Sequence, residues 1–152
     1  MFFSVTTEYA LRAVVFLAIN KAEGTAYTSQ DISETTKVPG AYLAKVLQAL
    51  SRAGIVTSQR GLGGGFALAI DPNELNILQV INAVDPIKRI KTCPLKLDTH
   101  GVNLCPLHKE LDMVMENAEA VLAKATLASL IETPSTSVPL CNELRETCAK
   151  RC

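Results

Sequence analysis

The chain of 152 residues has no tryptophan, only 5% aromatic residues, and no cysteine before position 93. Its core must therefore be built from aliphatic side chains, and its first half holds neither a disulfide nor a thiolate metal site. No Asp or Glu occurs from Thr35 to Ile70. No apolar run is long enough to cross a bilayer: the stretch from Tyr9 to Ile19 carries Arg12, spans about a dozen positions, and has no signal-peptide cleavage pattern. A cytoplasmic protein without a membrane partner is expected. In that setting the five cysteines, all beyond residue 92, point to metal, cluster or redox chemistry rather than structural disulfides. The sequence also lacks Cys-x-x-Cys, a nucleophile elbow, His-Glu-x-x-His and a dinucleotide fingerprint, which argues against an enzyme.

What is present centres on Arg60-Gly61-Leu62-Gly63-Gly64-Gly65-Phe66. This glycine-rich turn joins a β-branched run, Ile55 to Gln59, to a second short strand, Phe66 to Ile70. The simplest structure is a two-stranded hairpin, which needs helices to lean on. A nucleotide-binding loop does not fit, because no Gly-Lys-Ser/Thr follows and no helix begins there. Ahead of the hairpin, Leu43, Val46, Leu47 and Leu50 recur on one face of a helix from Tyr42 to Arg52, and Gly54 ends it. The other face carries Ala41, Tyr42, Ala44, Lys45, Gln48 and Arg52. A short helix from Gln30 to Thr36 precedes it, opened by Thr28, Ser29 and Asp31 and separated by the turn Lys37-Val38-Pro39-Gly40. Two helices, a turn and a basic hairpin outline a winged helix-turn-helix, whose second helix can enter the major groove. A helical hairpin packed inside a larger bundle is the alternative. Charges balance at 15 basic and 15 acidic, yet Lys37, Lys45, Arg52 and Arg60 fall in the acid-free stretch, a local cationic surface suited to phosphates or simply a solvated face.

Around this unit, caps at Ser4, Thr6 and Thr7 open a first helix expected to run to about Ala22, buried on more than one side. A fourth helix is expected over Glu74–Val84, with Leu75, Leu78, Ile81 and Ala83 or Val84 inward, before Pro86 breaks it. Residues 85–104 read as a loop. After Cys105-Pro106, the positions Leu107, Leu111, Val114, Ala118, Val121 and Ala125 form a narrow apolar seam that suits one partner helix, the copy in a second subunit or the chain's own domain. Thr126 to Ile131 is expected to form a last helical turn or a separate short helix, and Glu132 to Pro139 is a linker. The expected division is a winged-helix domain over 1–84, a cysteine-bearing loop over 85–105, a dimerisation helix region over 106–131 and a tail over 132–152. Cys141, Cys148 and Cys152 in that tail could share one helical face and bind a metal, or oxidise incidentally on a tethered end.

The wing Arg60 to Leu68, preceded by Leu50-Ser51-Arg52-Ala53-Gly54-Ile55-Val56, resembles the Rrf2 family of bacterial winged-helix regulators. The openings Thr6 to Ala13 and Asp31-Ile32-Ser33-Glu34 resemble the family's first two helices, so the likeness covers roughly residues 1–131. It implies a mainly α fold with a β-hairpin wing, a homodimer with crossing long helices, and palindromic operator DNA. It also implies that Arg60 acts on DNA, and that an acidic specificity residue found in one branch is replaced here by Ala44. DNA is expected against Thr28, Ser29, Ala41, Tyr42, Lys45, Gln48, Arg60, Gly61 and Gly63.

In cluster-binding members of the family, the loop before the long helix holds three cysteines six apart. Cys93 and Cys105 match the outer two, Thr99 stands at the middle position, and His108 matches a histidine of one branch. Glu8 stands where some relatives place an acidic ligand donated by the partner's first helix, although a carboxylate there also offsets the helix dipole. The resemblance thus implies an iron-sulfur cluster on Cys93, Cys105 and a histidine, His108 ahead of His100, with Glu8 from the partner subunit. Few thiolates favour a 2Fe-2S over a 4Fe-4S cluster. The expected function is a transcriptional repressor whose operator affinity follows redox state, nitric oxide or cluster supply; the alternative is the same fold without a cluster, responding through cysteine oxidation, a small molecule or a protein partner.

Overall fold

A computed structural model describes residues 3–22, 25–94, 103–135, 137 and 139–140. Helix α1 spans Val5–Ile19, and the Ser4 side chain accepts from the Thr7 amide to cap it. It ends three residues before the expected Ala22, because Asn20 closes it, its side-chain amide donating to the Phe16 carbonyl at 2.8 Å. Helix α2, Ser29–Thr36, opens with a full capping box between Thr28 and Asp31 and stops at Lys37, which adopts φ 57. Helix α3, Gly40–Arg52, starts two residues earlier than expected: Pro39 serves as its N-cap, its carbonyl accepting from Tyr42 and Leu43.

Strands β1, Val56–Gln59, and β2, Gly65–Leu68, pair antiparallel, with Val56 opposite Leu68 and Gln59 opposite Gly65. The hairpin does not stand alone. Tyr27, just before α2, exchanges two backbone hydrogen bonds with Phe66, at 2.9 and 2.7 Å. The Tyr27 ring then meets Phe16 of α1 edge-on at 5.1 Å. The wing is therefore fixed to the helical body through the residue that leads into the helix-turn-helix.

Helix α4 spans Ile77–Val84 rather than starting at Glu74. Asn76 and Gln79 form a capping box, and residues 71–75 form a turn whose backbone is used elsewhere. The inward residues are Leu75, Ile77, Val80 and Ile81, whereas Leu78 is only half-buried. Helix α5 covers Pro106–Lys124 and α6 covers Leu127–Glu132. Between these two helices the chain is stitched to the segment before α4: Ile77 N–H donates to Ala125, Leu127 N–H to Leu75 and Ala128 N–H to Pro72, at 2.9, 2.9 and 3.0 Å.

One aliphatic core joins α1 (Ala10, Ala13, Val14, Leu17), α2 (Ile32), α3 (Leu43, Val46, Leu47, Leu50), α4 (Val80, Ile81) and Leu127 of α6. Each such large side chain contributes about 1.5–3 kcal/mol by leaving water, so the C-terminal element helps to hold the helix-turn-helix unit together. The expected apolar seam is corrected at its end. Ala125 lies outside α5 as its C-cap and packs on the protein's own core. Leu107, Leu111, Val114 and Val121 remain 65, 45, 55 and 67% exposed on α5, an apolar face uncovered in the single chain. Among the described residues no helix is long and apolar enough to cross a membrane. Glu23-Gly24, Thr99, His100 and the tail cysteines Cys141, Cys148 and Cys152 lie outside the described residues.

Candidate nucleic-acid interface and thiol site

The i, i+3, i+4, i+7 placement of Leu43, Val46, Leu47 and Leu50 buries one face of α3 completely, which turns the opposite face outward. Ala41, Tyr42, Ala44, Lys45 and Gln48 are all exposed there. Tyr42 is steadied by an edge-on contact with Tyr9 of α1, ring centres 5.9 Å apart. Lys45 and Arg52 supply positive charge, and no acidic residue within 35–70 offsets it.

The start of α2 is more occupied than the sequence implied. The Thr28 amide donates to the Asp31 carboxylate at 3.0 Å, and the Asp31 amide donates to the Thr28 hydroxyl oxygen at 3.2 Å. Only the Ser29 and Gln30 amides are then left, by their helical positions, to meet a phosphate. The Thr28 hydroxyl also donates to Asp31 at 2.6 Å, which keeps that carboxyl below its usual range and charged.

At the wing, Arg60, Gly61 and Gly63 are exposed, and Leu62 projects fully into solvent at the tip. Gly61 and Gly63 hold φ of 100 and 77, which lets the turn reverse tightly. Gly65 is needed for another reason. A Cβ there would lie 2.4 Å from the Tyr27 carbonyl oxygen, so only glycine permits the close pairing of wing and body.

The thiol site lies at the head of α5. Cys105 is its N-cap and Pro106 its first residue, a favoured start because proline lacks the N–H that would go unbonded there. The Cys105 Sγ lies 3.3 Å from His108 Nδ1, one turn along the same face. Cys93, on the preceding loop, is only 4% exposed. Glu8 is engaged within its own chain: its carboxylate accepts from Arg12 at 3.0 Å, and Arg12 also donates to the Thr36 carbonyl at 3.4 Å. Among the described residues of one chain, no three His, Cys, Asp or Glu side chains converge as a metal-holding group. The chemistry of the donors nevertheless fits a cluster, since thiolate is its usual ligand and imidazole an accepted substitute, and one of each already meet at Cys105 and His108.

An arginine on the same loop carries no sequence signal of its own. Arg89 faces Asp112 in a two-pronged pair, Nε to Oδ1 and Nη2 to Oδ2 both at 2.7 Å, and reaches Glu119 at 3.3 Å and Glu116 at 3.5 Å. The Ile90 amide adds a bond to Asp112 at 2.8 Å. Hydrogen bonding from Arg89 first, with the Ile90 amide and the guanidinium charge behind it, draws the Asp112 carboxyl down to about 2 against its desolvation, and Arg89 is raised in turn. The available signal was the spacing of Asp112, Glu116 and Glu119, which puts three carboxylates on one side of α5.

Residues 3–133 match the model of the Rrf2 family, described as an iron-dependent transcriptional regulator. The HTH-type transcriptional regulator IscR of Serratia proteamaculans is 32% identical over 123 residues, covering 81% of this chain and 74% of that protein. Among solved structures, IscR of T. potens superposes with a TM-score of 0.71 at 26% identity, covering 87% of each chain. CymR, the global cysteine regulator of B. subtilis, superposes with a TM-score of 0.72 at 23% identity over 89% of this chain and 99% of that one, a likeness of fold.

Proposed function

Because the chain belongs to the Rrf2 family of transcriptional regulators, which bind DNA and are not enzymes, we propose that it is a homodimeric repressor of palindromic operators whose affinity is set at the Cys105–His108 site by an iron-sulfur cluster. The DNA-binding part of this reading rests on the exposed face of α3, where Ala41, Tyr42, Lys45 and Gln48 can enter a major groove while Arg60, Gly61 and Gly63 follow the backbone beside it. Thr28 acts here as the cap that sets the α2 start, and Ser29 as an amide donor to phosphate.

The observation that carries the sensing part is the convergence of Cys105 Sγ and His108 Nδ1 at 3.3 Å. Cys93, Cys105 and His108 would hold the cluster, with Glu8 of the partner subunit as the fourth ligand and His100 as the alternative imidazole. A bound cluster supplies an oxidisable, nitric-oxide-reactive centre, and with two thiolates per subunit the 2Fe-2S form is favoured. Arg12 engages only Oε1 of Glu8, so Glu8 would ligate through its other oxygen or by leaving Arg12, which links ligation to the first helix. Two half-sites on a palindrome demand a fixed distance between the two α3 helices. The uncovered α5 face of Leu107, Leu111, Val114 and Val121 is the surface on which that distance would be set.

A second reading keeps the fold and removes the cluster. Cys105 is only partly buried and its sulfur lies 3.3 Å from His108, so oxidation at this sulfur is the alternative signal. The test is anaerobic reconstitution of the wild type and of Cys93→Ala, Cys105→Ala, His108→Ala and Glu8→Ala, with iron counted per subunit and operator affinity measured with and without iron. Broad visible absorption and iron lost in the cysteine variants support the cluster. Iron binding unchanged in Cys93→Ala and Cys105→Ala defeats it and leaves the thiol-responsive regulator.

A further inference from the structure

We propose that Arg89 is a positioning residue: by gripping Asp112 and Glu119 it pins the loop that carries Cys93 along the same face of α5 that presents Cys105 and His108. The inference rests on the proposed sensing role of that site and adds to it the device that assembles its two separated halves.

The face is defined by spacing. Cys105, His108, Asp112, Glu116 and Glu119 follow one another at intervals of three, four, four and three, so they form one stripe along α5. The exposed apolar residues Leu107, Leu111, Val114 and Val121 form another, and at 3.6 residues per turn the two stripes lie about 140° apart around the helix. Thiol chemistry and the uncovered apolar surface therefore occupy different sides of one rod.

The pinning contact is strong for its position. Arg89 is 26% and Asp112 19% exposed, the two prongs are both 2.7 Å, and the Ile90 amide bonds the same carboxylate at 2.8 Å. A two-pronged guanidinium–carboxylate pair fixes direction as well as distance, which a lysine ammonium does not. With Ile90 held at the level of Asp112, Cys93 lies three residues further on, a reach of about 10 Å for extended chain. Cys105 lies seven residues back along α5, a rise of about 10 Å as well. The two lengths match, so a chain pinned at Ile90 is long enough for Cys93 to reach the head of the helix, and Cys93 is itself buried. No other contact between residues 88–92 and α5 matches it in geometry among the described residues.

The experiment uses full-length, iron-free protein and reads each thiol separately by mass spectrometry after timed alkylation with iodoacetamide. In the wild type Cys93 should label slowly. In Arg89→Gln it should label at least tenfold faster, while Cys105, which is held as the N-cap of α5 rather than by the Arg89 clamp, keeps its wild-type rate. Arg89→Lys, which retains the charge without the fork, should fall between, a partial rescue that general unfolding does not give. The proposal is overturned if Cys93 in Arg89→Gln labels as slowly as in the wild type, or if Cys93 and Cys105 accelerate together. Iron uptake by the same proteins separates the two claims: a wild type that takes up no iron sinks the cluster reading, while a selective rise at Cys93 still upholds the clamp.

Discussion

Replacing Gly65 with alanine tests how the wing is attached. The added Cβ would sit 2.4 Å from the Tyr27 carbonyl oxygen and 3.0 Å from the Thr28 nitrogen, both backbone atoms that cannot swing aside, and φ at this residue is 153. Holding a non-glycine residue in that region costs about 1–3 kcal/mol. The clash also forces the Tyr27 backbone away, and the two hydrogen bonds between Tyr27 and Phe66 are then lost, about 0.5–1.5 kcal/mol each. Together these give an expected loss of about 2–6 kcal/mol, read as a lower urea midpoint at unchanged slope. Gly63→Ala is the matched control: its φ of 77 is strained but its Cβ would point into open space, so about 1 kcal/mol is expected. Operator affinity should fall further in Gly65→Ala, because Tyr27 leads directly into α2 and displaces it with the wing. A Gly65→Ala protein within about 0.5 kcal/mol of the wild type, or no worse than Gly63→Ala, would refute the reasoning.

Arg60→Ala should weaken operator binding by about 1–3 kcal/mol and flatten its salt dependence; an unchanged titration at matched salt would place Arg60 outside the interface. Glutamates at Leu111 and Val114 together should bury unpaired charge and cost several kcal/mol of association, seen in sedimentation as loss of a dimer; a variant that sediments as the wild type does would move the interface elsewhere. Acid should reveal the clamp. Asp112 is held at about 2 against an ordinary 3.8, so its pairing with Arg89 stabilises the fold above about pH 4 and is lost as pH falls through about 2. Asp112→Asn should therefore flatten the fall in urea midpoint across that window, and an identical profile would show that the pair does not support the fold.

How far the sequence could be read follows from where the determining interactions lie. The α3 face and the capping box of α2 were legible because helix period and capping chemistry act within a few residues. Start points were not. Glu74 looked like the first residue of α4, but the backbone of Pro72, Leu75 and Ile77 is engaged by the segment around Ala125–Ala128, some fifty residues away, and the helix begins only at the Asn76 box. Tyr27 gave no strand signal, since one bridging residue has no alternation to display. Arg89 carries no local signal within its loop, because its meaning depends on carboxylates more than twenty positions later. At the site, Cys93, Cys105 and His108 were singled out by the resemblance to the family's cysteine loop, whereas the Arg12 pairing with Glu8 appears only once α1 is built.

The C-terminal end of α5 supplies a sharper test of how the chain is divided. A boundary after Val84 would make the first 84 residues a self-sufficient DNA-binding unit. The packing says otherwise: Leu127 is fully buried among residues of that unit, and its amide bonds the Leu75 carbonyl at 2.9 Å. Truncating a buried leucine to alanine removes its transfer energy and leaves a cavity, a loss of about 2–5 kcal/mol. Leu127→Ala should therefore destabilise the winged helix itself, lowering the urea midpoint reported by Tyr9, Tyr27 and Tyr42 fluorescence, since every tyrosine of the chain lies in that unit. A chain stopped at Lys124 should do worse, losing Leu127, Ala128 and the bonds to Leu75, Ile77 and Pro72 together. One stopped at Pro134 keeps all of them, and should match the full chain in stability and operator affinity. If the chain ending at Lys124 unfolds at the wild-type midpoint, α6 is not part of the DNA-binding core, and a signal at the head of α5 would need another route to the wing.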